Sequence, residues 1–437
     1  MKKKFDLVVL GGGISGANAA YTAASKSKDL KKRFSVALVS NESIVYSRSA
    51  LPSIIAHEID SLRSITVYPT SQLRQVGVEF FGRCEILKVD FNAKSVKIKN
   101  LRNGEKSELL FESLVIATGS LPRLPPVKGA DLRGIYTMKW FNQAKDLAKR
   151  AKLGMKALVV GAGLIGMETA NALRKLGLKV TVVETFPHIL SGVLEPPLSG
   201  YVQSRAESMG VKIAVKCSLE GIEGERKVES VILNGQRVPF DFVIFCTGVK
   251  PNTAIFEGSN VEMTEYGAIK TDSKMKTNIE DVYAVGDCAE KIDYVTQRPV
   301  YRPLGSLAAK TAEIAGMSAL GVGITFEGSI RHQYDYIFGT HISSMGLSSS
   351  EASSLGLHTE TLCVKIERND AFAQEPLKIP RDAKICVVVE KKTDRILGWQ
   401  SVGSSKPINY YNIFVNDLIR RGGTVKDLQK VGLDISN

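Results

Sequence analysis

An α/β fold with two Rossmann-like dinucleotide-binding domains is predicted by two stretches of this 437-residue chain. The first is DLVVLGGGISGANAAYTAA at 6–24, and the second is ALVVGAGLIGMETANALRKLGLKVTVVE at 157–184. Each reads as a short apolar strand, a G-x-G-x-x-G loop and a helix rich in small residues. Length is the third observation, since 437 residues leave room for roughly two to four domains. The 44% hydrophobic and 24% charged content suits a globular protein with a large buried core.

In the first unit, Gly11 permits a tight turn and Gly13 lets the backbone approach a pyrophosphate. Gly16 lets helix and strand pack closely. The helix N-terminus then offers free N–H groups and the positive end of its dipole to phosphates. The second strand is FSVALVS at 34–40, reached through the basic stretch SKSKDLKKRF. An acidic residue near its end would bind ribose hydroxyls. The nominal position holds Ser40, and Glu42, two residues on, is the candidate.

The second unit repeats the pattern with Gly161, Gly163 and Gly166, and its strand KVTVVE ends in Glu184. A carboxylate there accepts from a 2′-hydroxyl and repels a 2′-phosphate, which favours NAD(H) over NADP(H). No Arg directly follows Glu184, in agreement. Two dinucleotide sites imply FAD plus NADH, hence hydride transfer through a flavin.

Lys+Arg is 58 and Asp+Glu is 45, a formal charge of +13. A positive field favours anionic ligands such as nucleotides. Nucleic-acid binding has only net charge behind it, because the basic runs at Lys2–Lys4 and Lys31–Arg33 are short. The six cysteines, at 84, 217, 246, 288, 363 and 386, include no CxxC and no zinc spacing. That argues against a metal site or a disulfide framework and fits a reducing cytoplasm. The histidines at 57, 188, 332, 341 and 358 form no constellation, and no metal is expected. The start MKKKFDLVVLGGG imitates a signal peptide, but its apolar run leads into a glycine loop and reads as a first strand. No stretch approaches the roughly 18 apolar residues of a membrane span.

With these motifs in hand, the chain resembles the pyridine nucleotide-disulfide oxidoreductase superfamily of flavoproteins. LVIATGS (114–120) looks like the family's strand and turn leaving the FAD domain, and VIFCTGVKPNT (243–253) like its return. VYAVGDCAE (282–290) looks like the second FAD motif, whose aspartate is here Asp287. GMETA (166–170) carries Glu168, which the family places near the flavin–nicotinamide contact. The resemblance implies a discontinuous FAD-binding domain, 1–118 and 245–327. It implies an NAD-binding domain at 119–244 and a dimerisation domain at 328–437. FAD would be held by Gly11, Gly13, Gly16, Glu42, Arg48, Thr118, Gly119 and Asp287. NADH would be held by Gly161, Gly163, Gly166, Glu184 and Gly248, and a homodimer is implied.

The chain lacks the CxxxxC and His-Pro of the glutathione reductase branch and the CxxC of thioredoxin reductases. It is similar instead to the branch of NADH oxidases, NADH peroxidases and coenzyme A-disulfide reductases. Those carry one redox cysteine in a segment like "N/R-C-G/A-L-P-Y". Here the segment is YSRSALPS, and Ser49 stands at the cysteine's place. A hydroxyl has no oxidation ladder, so a sulfenate or mixed disulfide cannot form there. Either the chain uses flavin chemistry alone, with H₂O₂ as the product from O₂, or it is a Cys→Ser variant. Cys288, after Asp287, and Cys246 both read as packing residues.

In the last third, IFGTHISSMGLSSSEASSLGL (337–357) looks like the dimerisation domain's opening strand, turn and helix. AKICVVVEKKTDRILGWQSVG (383–403) reads as a hairpin turning at Lys392–Arg395. NYYNIFVNDLIRRGG (409–423) has helical periodicity closed by Gly422-Gly423. The text after VKDLQKVGLDIS lacks the family's "Y-x-P-P", which puts partner-assisted catalysis in doubt. The functions in view are an NADH oxidoreductase of the NADH oxidase type passing electrons to O₂, a quinone or another acceptor, a coenzyme A-disulfide or polysulfide reductase homologue, and an NADH-binding flavoprotein sensor.

Overall fold

The structure, a computed structural model, describes residues 2–365, 383–404 and 410–430. The chain divides into two compact units.

The first unit comprises Met1–Ala50, Asp60–Arg123 and Val249–Ser329. Its sheet has Lys2–Leu10 at the centre, parallel to Val36–Val39 on one side and to Lys106–Ile116 on the other. Val78–Phe81 extends it beyond Val36–Val39, again parallel. The antiparallel strands Ser95–Asn100 and Cys84–Asp90 extend it beyond Lys106–Ile116. Val282–Ala284 adds a parallel pairing to Lys106–Ile116, so a late segment completes an early sheet. Leu7, Val8, Val9 and Leu10 are fully buried. A central parallel strand is covered on both faces, so a continuous apolar run is what it needs. The basic start belongs to this strand: Lys2, Lys3 and Lys4 pair with Glu108, Glu79 and Glu112. Helix Ile14–Asp29 buries a face of Ala17, Ala20, Ala23 and Ala24. Helix Gly305–Ala319 closes on that face, and a Cβ on Gly316 would stand 2.7 Å from the Ala19 carbonyl oxygen. Small residues are what let two backbones approach that closely.

The second unit comprises Leu51–Ile59, Leu124–Gly248 and Ile330–Asn437. It holds a fully parallel sheet in the order Ile135–Thr137, Phe242–Phe245, Lys156–Val160, Lys179–Val183, Lys212–Ala214. A second, antiparallel sheet runs His332–Ile337, Thr340–Gly346, Ile396–Gly403, Lys384–Glu390, Thr359–Lys365. The hairpin read at 383–403 is the pair Lys384–Glu390 and Ile396–Gly403. The segment read as strand, turn and helix is the hairpin partner Thr340–Gly346 followed by helix Ser349–Ser354. The helix read at 409–423 spans Tyr410–Arg420, and Gly422 beyond it has φ +69°. The text beyond Lys430 lies outside the described residues.

A buried polar network ties the parallel sheet's layer to the antiparallel one. Glu195 immediately precedes helix Pro196–Ser208 and is 4% exposed. Its carboxylate accepts from the Ser349 N–H at 2.8 Å, the Ser349 hydroxyl at 2.6 Å and Gln400 Nε2 at 3.1 Å. Arg331 donates to the Gly192 carbonyl and pairs with Glu351 at 3.3 Å. A buried carboxylate is tolerated only when its lone pairs are occupied, as they are here.

The cysteine spacing did not anticipate one bond. Cys363 and Cys386 form a disulfide because strands Thr359–Lys365 and Lys384–Glu390 set them directly opposite each other. Cross-strand register, invisible to a search for short spacings, is what joins them. Cys84, Cys217, Cys246 and Cys288 are free. Among the described residues no group of three His, Cys, Asp or Glu is arranged to hold a metal, and no helix is long and apolar enough to cross a membrane.

Candidate functional site

In the first unit, the strand Lys2–Leu10 ends at Gly11, whose φ is +113°. A Cβ there would stand 2.1 Å from the Ala117 carbonyl oxygen, so the loop can turn only if residue 11 has none. A Cβ on Gly16 would stand 1.7 Å from the Gly11 carbonyl oxygen. Gly13 opens helix Ile14–Asp29 with extended backbone, and no side chain caps that N-terminus. The nearest atom to a Cβ on Gly13 would be Arg48 Nη1 at 3.4 Å. A guanidinium thus overlooks the glycine loop, where a pyrophosphate's charge would lie.

Arg48 is held in turn by Glu42, Nη2 to Oε2 at 2.8 Å, while the Tyr46 hydroxyl donates to Glu42 Oε1 at 2.6 Å. The buried Ser40 hydroxyl accepts the Glu42 N–H at 3.1 Å. Glu42 therefore sits beyond the strand end, anchored by two side chains.

Thr118 and Gly119 form the turn after Lys106–Ile116, and Gly119 has φ +71°. Asn252 clamps this turn, its side chain donating to the Thr118 carbonyl at 3.2 Å and its N–H to Gly119 at 2.9 Å. Asp287 lies on a helical turn, Gly286–Cys288, and accepts from the Ser120 hydroxyl at 2.8 Å. A Cβ on Gly286 would stand 2.5 Å from Ser15 Oγ, so this turn packs on the start of the glycine-loop helix. The structure thereby gathers Gly11–Gly16, Arg48, Thr118, Gly119 and Asp287 around one helix N-terminus.

Sequence reasoning missed Lys291. Its ammonium is buried and donates to the Gly286 and Ala289 carbonyls, bracing the Asp287 turn from behind. Burial pushes its pKa down, and the Asp287 charge opposes that shift. A lysine between Glu290 and Asp293 in sequence reads as a surface residue, and nothing local marks it otherwise.

The second unit builds a parallel cradle. A Cβ on Gly161 would stand 2.6 Å from the Cys246 carbonyl oxygen, and one on Gly166 would stand 2.0 Å from that of Gly161. Around Gly163, at the start of helix Leu164–Lys175, there is open space. Glu184 accepts the Ala162 N–H at 2.7 Å and the Phe186 N–H at 3.1 Å, which fixes its carboxylate beside the loop. Gly248 has φ +88° and open space on its Cβ side. Ile165 and Phe186, both exposed, flank this cradle in sequence.

Glu168 lies one turn into helix Leu164–Lys175. The helix packs against strand His332–Ile337, which carries Asp335, a second residue the sequence did not reveal. Burial, then the Asp335 charge, pushes Glu168 up to about 9. The only signal for Asp335 is an acidic residue in the inward-facing row of an alternating strand.

Ser49 sits exposed on the turn Arg48–Ala50, its hydroxyl 2.9 Å from that of Ser47. Cys288 is fully buried, and its thiol faces the Val285 carbonyl oxygen at 3.2 Å and that of Ile116 at 3.5 Å. Burial pushes its pKa up. Burial likewise pushes the Cys246 thiol up to about 12, against a weakly opposing contact with Thr169. Neither is poised as a thiolate.

The chemistry of the two cradles fits two dinucleotides. Each offers an uncapped helix N-terminus, a loop whose glycines cannot bear a side chain, and a carboxylate near the second strand's end. The class so defined is an oxidoreductase with two nucleotide-binding units. Residues 5–302 match the family model described as pyridine nucleotide-disulphide oxidoreductase, and the chain belongs to that family. It is 32% identical to an NADH oxidase of Methanocaldococcus jannaschii over 350 residues, covering 79% of this chain and 77% of that one. It is 28% identical to an NAD(P)H coenzyme A polysulfide/persulfide reductase of Pyrococcus horikoshii, over 92% of this chain and 88% of the relative. Among solved structures, an NAD-dependent persulfide reductase from A. fulgidus superposes with a TM-score of 0.89 at 27% identity, covering 100% of this chain and 80% of that one.

Proposed function

We propose that this oxidoreductase uses FAD in the first unit and NADH in the second, and passes electrons from NADH to an acceptor without a redox cysteine. The observation that carries this reading is the pair of complete strand–loop–helix–strand cradles in one chain. A bound FAD would supply the two-electron acceptor for NADH and the donor to the second substrate. Gly11, Gly13, Gly16, Thr118 and Gly119 would shape its cradle, Arg48 would meet its pyrophosphate, and Asp287 its ribityl or pyrophosphate region. Glu42 would approach the ribose after exchanging a present partner. Gly161, Gly163, Gly166 and Gly248 would admit NADH, and Glu184 would favour it over NADPH. In domain terms, 1–118 with 245–327 would bind FAD, 119–244 would bind NAD, and 328–437 would make a homodimer. Exposed Tyr334 and Tyr336 on an edge strand suit such an interface.

Ser49 sets the type of chemistry. It stands at the place of the family's redox cysteine and neither stores electrons nor forms a mixed disulfide. With O₂ as acceptor the balance is NADH + H⁺ + O₂ → NAD⁺ + H₂O₂. Anaerobic titration with NADH tests this: full bleaching at one NADH per flavin, no thiolate charge-transfer band, and H₂O₂ on admission of air are expected. Uptake of a second electron pair would overturn flavin-only chemistry. A coenzyme A-disulfide or polysulfide reductase ancestry is supported by the match to the Pyrococcus relative over 92% of this chain and 88% of that one. Ser49→Cys separates the two: new disulfide reductase activity favours that ancestry, and none argues against it.

A further inference from the structure

The antiparallel sheet of the second unit ends on strand Thr359–Lys365, which among the described residues pairs on one side only, with Lys384–Glu390. Cys363 stands directly opposite Cys386, their Cα atoms 4.0 Å apart, and the S–S bond ties this edge strand to its neighbour. The ladder continues inward in register: Cys386 faces Gln400, and Gln400 faces Ser344. Side chains directly opposite each other share one face of a sheet, so the two sulfurs and the Gln400 amide form one row. Gln400 is fully buried and pinned in place. Its Oε1 accepts the Glu195 N–H, and its Nε2 donates to the Glu195 carboxylate at 3.1 Å.

The two sulfurs therefore have unlike surroundings. Cys386 is fully buried. Lys384, two residues before it on the same face, puts its Nζ 5.0 Å from the centre of the Tyr201 ring. Tyr201 belongs to helix Pro196–Ser208, which packs on this strand and on Ile396–Gly403. Cys363, by contrast, is exposed. Displacement at a disulfide sets the entering, attacked and leaving sulfurs in a line, so it needs open space behind the attacked sulfur. The line through Cys363 leads out past the sheet edge. The line through Cys386 leads into Gln400.

We propose that Cys363 and Cys386 form a thiol–disulfide exchange site for low-molecular-weight thiols and disulfides, with Cys363 the exchanging sulfur and Cys386 the resolving one. This goes beyond the NADH reaction and uses neither nucleotide cradle. With the pair reduced, the Cys363 thiolate attacks one sulfur of a small disulfide RSSR. A bond forms between the Cys363 sulfur and that sulfur, the bond within RSSR breaks, and RSH leaves with the Cys363 proton. Cys386 then attacks the Cys363 sulfur from the buried side and expels the second RSH outward with its own proton. The balance is Cys363–SH + Cys386–SH + RSSR → Cys363–S–S–Cys386 + 2 RSH. The pair is oxidised by two electrons and the small disulfide is reduced by two. In the reverse direction a small thiol enters at Cys363 and Cys386 is the leaving sulfur.

The test uses the full chain with its flavin, purified without reductant and kept free of NADH, and glutathione as the probe. Thiol titration in denaturant should find four thiols before reduction, those of Cys84, Cys217, Cys246 and Cys288, and six after it. Six before reduction would overturn the proposal. In the folded, reduced wild-type chain, limiting iodoacetamide should label Cys363 at least about tenfold faster than Cys386. Equal rates would overturn the division of roles, and this arm needs no variant. Glutathione disulfide should restore the bond in the reduced chain and release both of its halves as glutathione. In Cys386→Ala it should release one half and leave the other on Cys363, because no resolving sulfur remains. In Cys363→Ser, Cys386 should stay unmodified while the protein is folded. Glutathione found on Cys386, or none taken up by Cys386→Ala, would overturn the exchange site.

Discussion

In the first unit the carboxylate nearest the glycine loop, Glu42, is held by the side chains of Tyr46 and Arg48, whereas in the second Glu184 accepts the N–H of Ala162 within the loop itself. The glycines behave alike in both: residues 16 and 166 each press on the carbonyl of the loop's first glycine. The turn geometry is thus common property, while the acidic residue is placed by whatever the local chain provides. Where the strand runs to its acidic end, backbone suffices. Where it stops at Ser40, side chains must finish the site.

The largest effect should come from the shared part. Gly166→Ala puts a Cβ 2.0 Å from a carbonyl oxygen and should cost about 2–3 kcal/mol in denaturant unfolding. Gly163→Ala meets open space, should stay within about 0.5 kcal/mol of the parent, and should still weaken NADH binding by filling the cradle. Equal destabilisation by both would break the distinction between packing glycine and ligand glycine.

The next effect separates the two acidic sites. Glu184→Ala should shift the NADH/NADPH preference in kcat/KM by about tenfold toward NADPH, ~1.4 kcal/mol, and leave FAD affinity alone. Arg48→Ala should do the converse, weakening FAD about tenfold by fluorescence titration with coenzyme preference unchanged. A coenzyme shift from Arg48→Ala would mean the two cradles have been assigned the wrong way round. The smallest effect should be that of Tyr46→Phe, which leaves the Arg48–Glu42 pair in place and should weaken FAD by about threefold at most, ~0.6 kcal/mol. A larger loss would show that the hydroxyl, not the arginine, positions Glu42.

Much of this was legible in the chain. The glycine loops, both flanking strands and the C-terminal hairpin follow from short-range patterns: apolar runs, period-two alternation and small residues where backbones must approach. Glu184 was found because it ends a strand beside such a pattern, and Asp287 because VYAVGDCAE resembles the family's second FAD motif. What local patterns cannot carry is pairing between residues far apart in sequence. Asp335 reaches the Glu168 helix only because its strand packs there. Lys291 is buried only because the Asp287 turn folds over it. Cys363 and Cys386 join only through cross-strand register. The sequence by itself determined the local backbone geometry, since steric limits on φ and ψ act between near neighbours. Only the tertiary structure decided which charged and sulfur groups share an environment, because burial and proximity are properties of the packed chain.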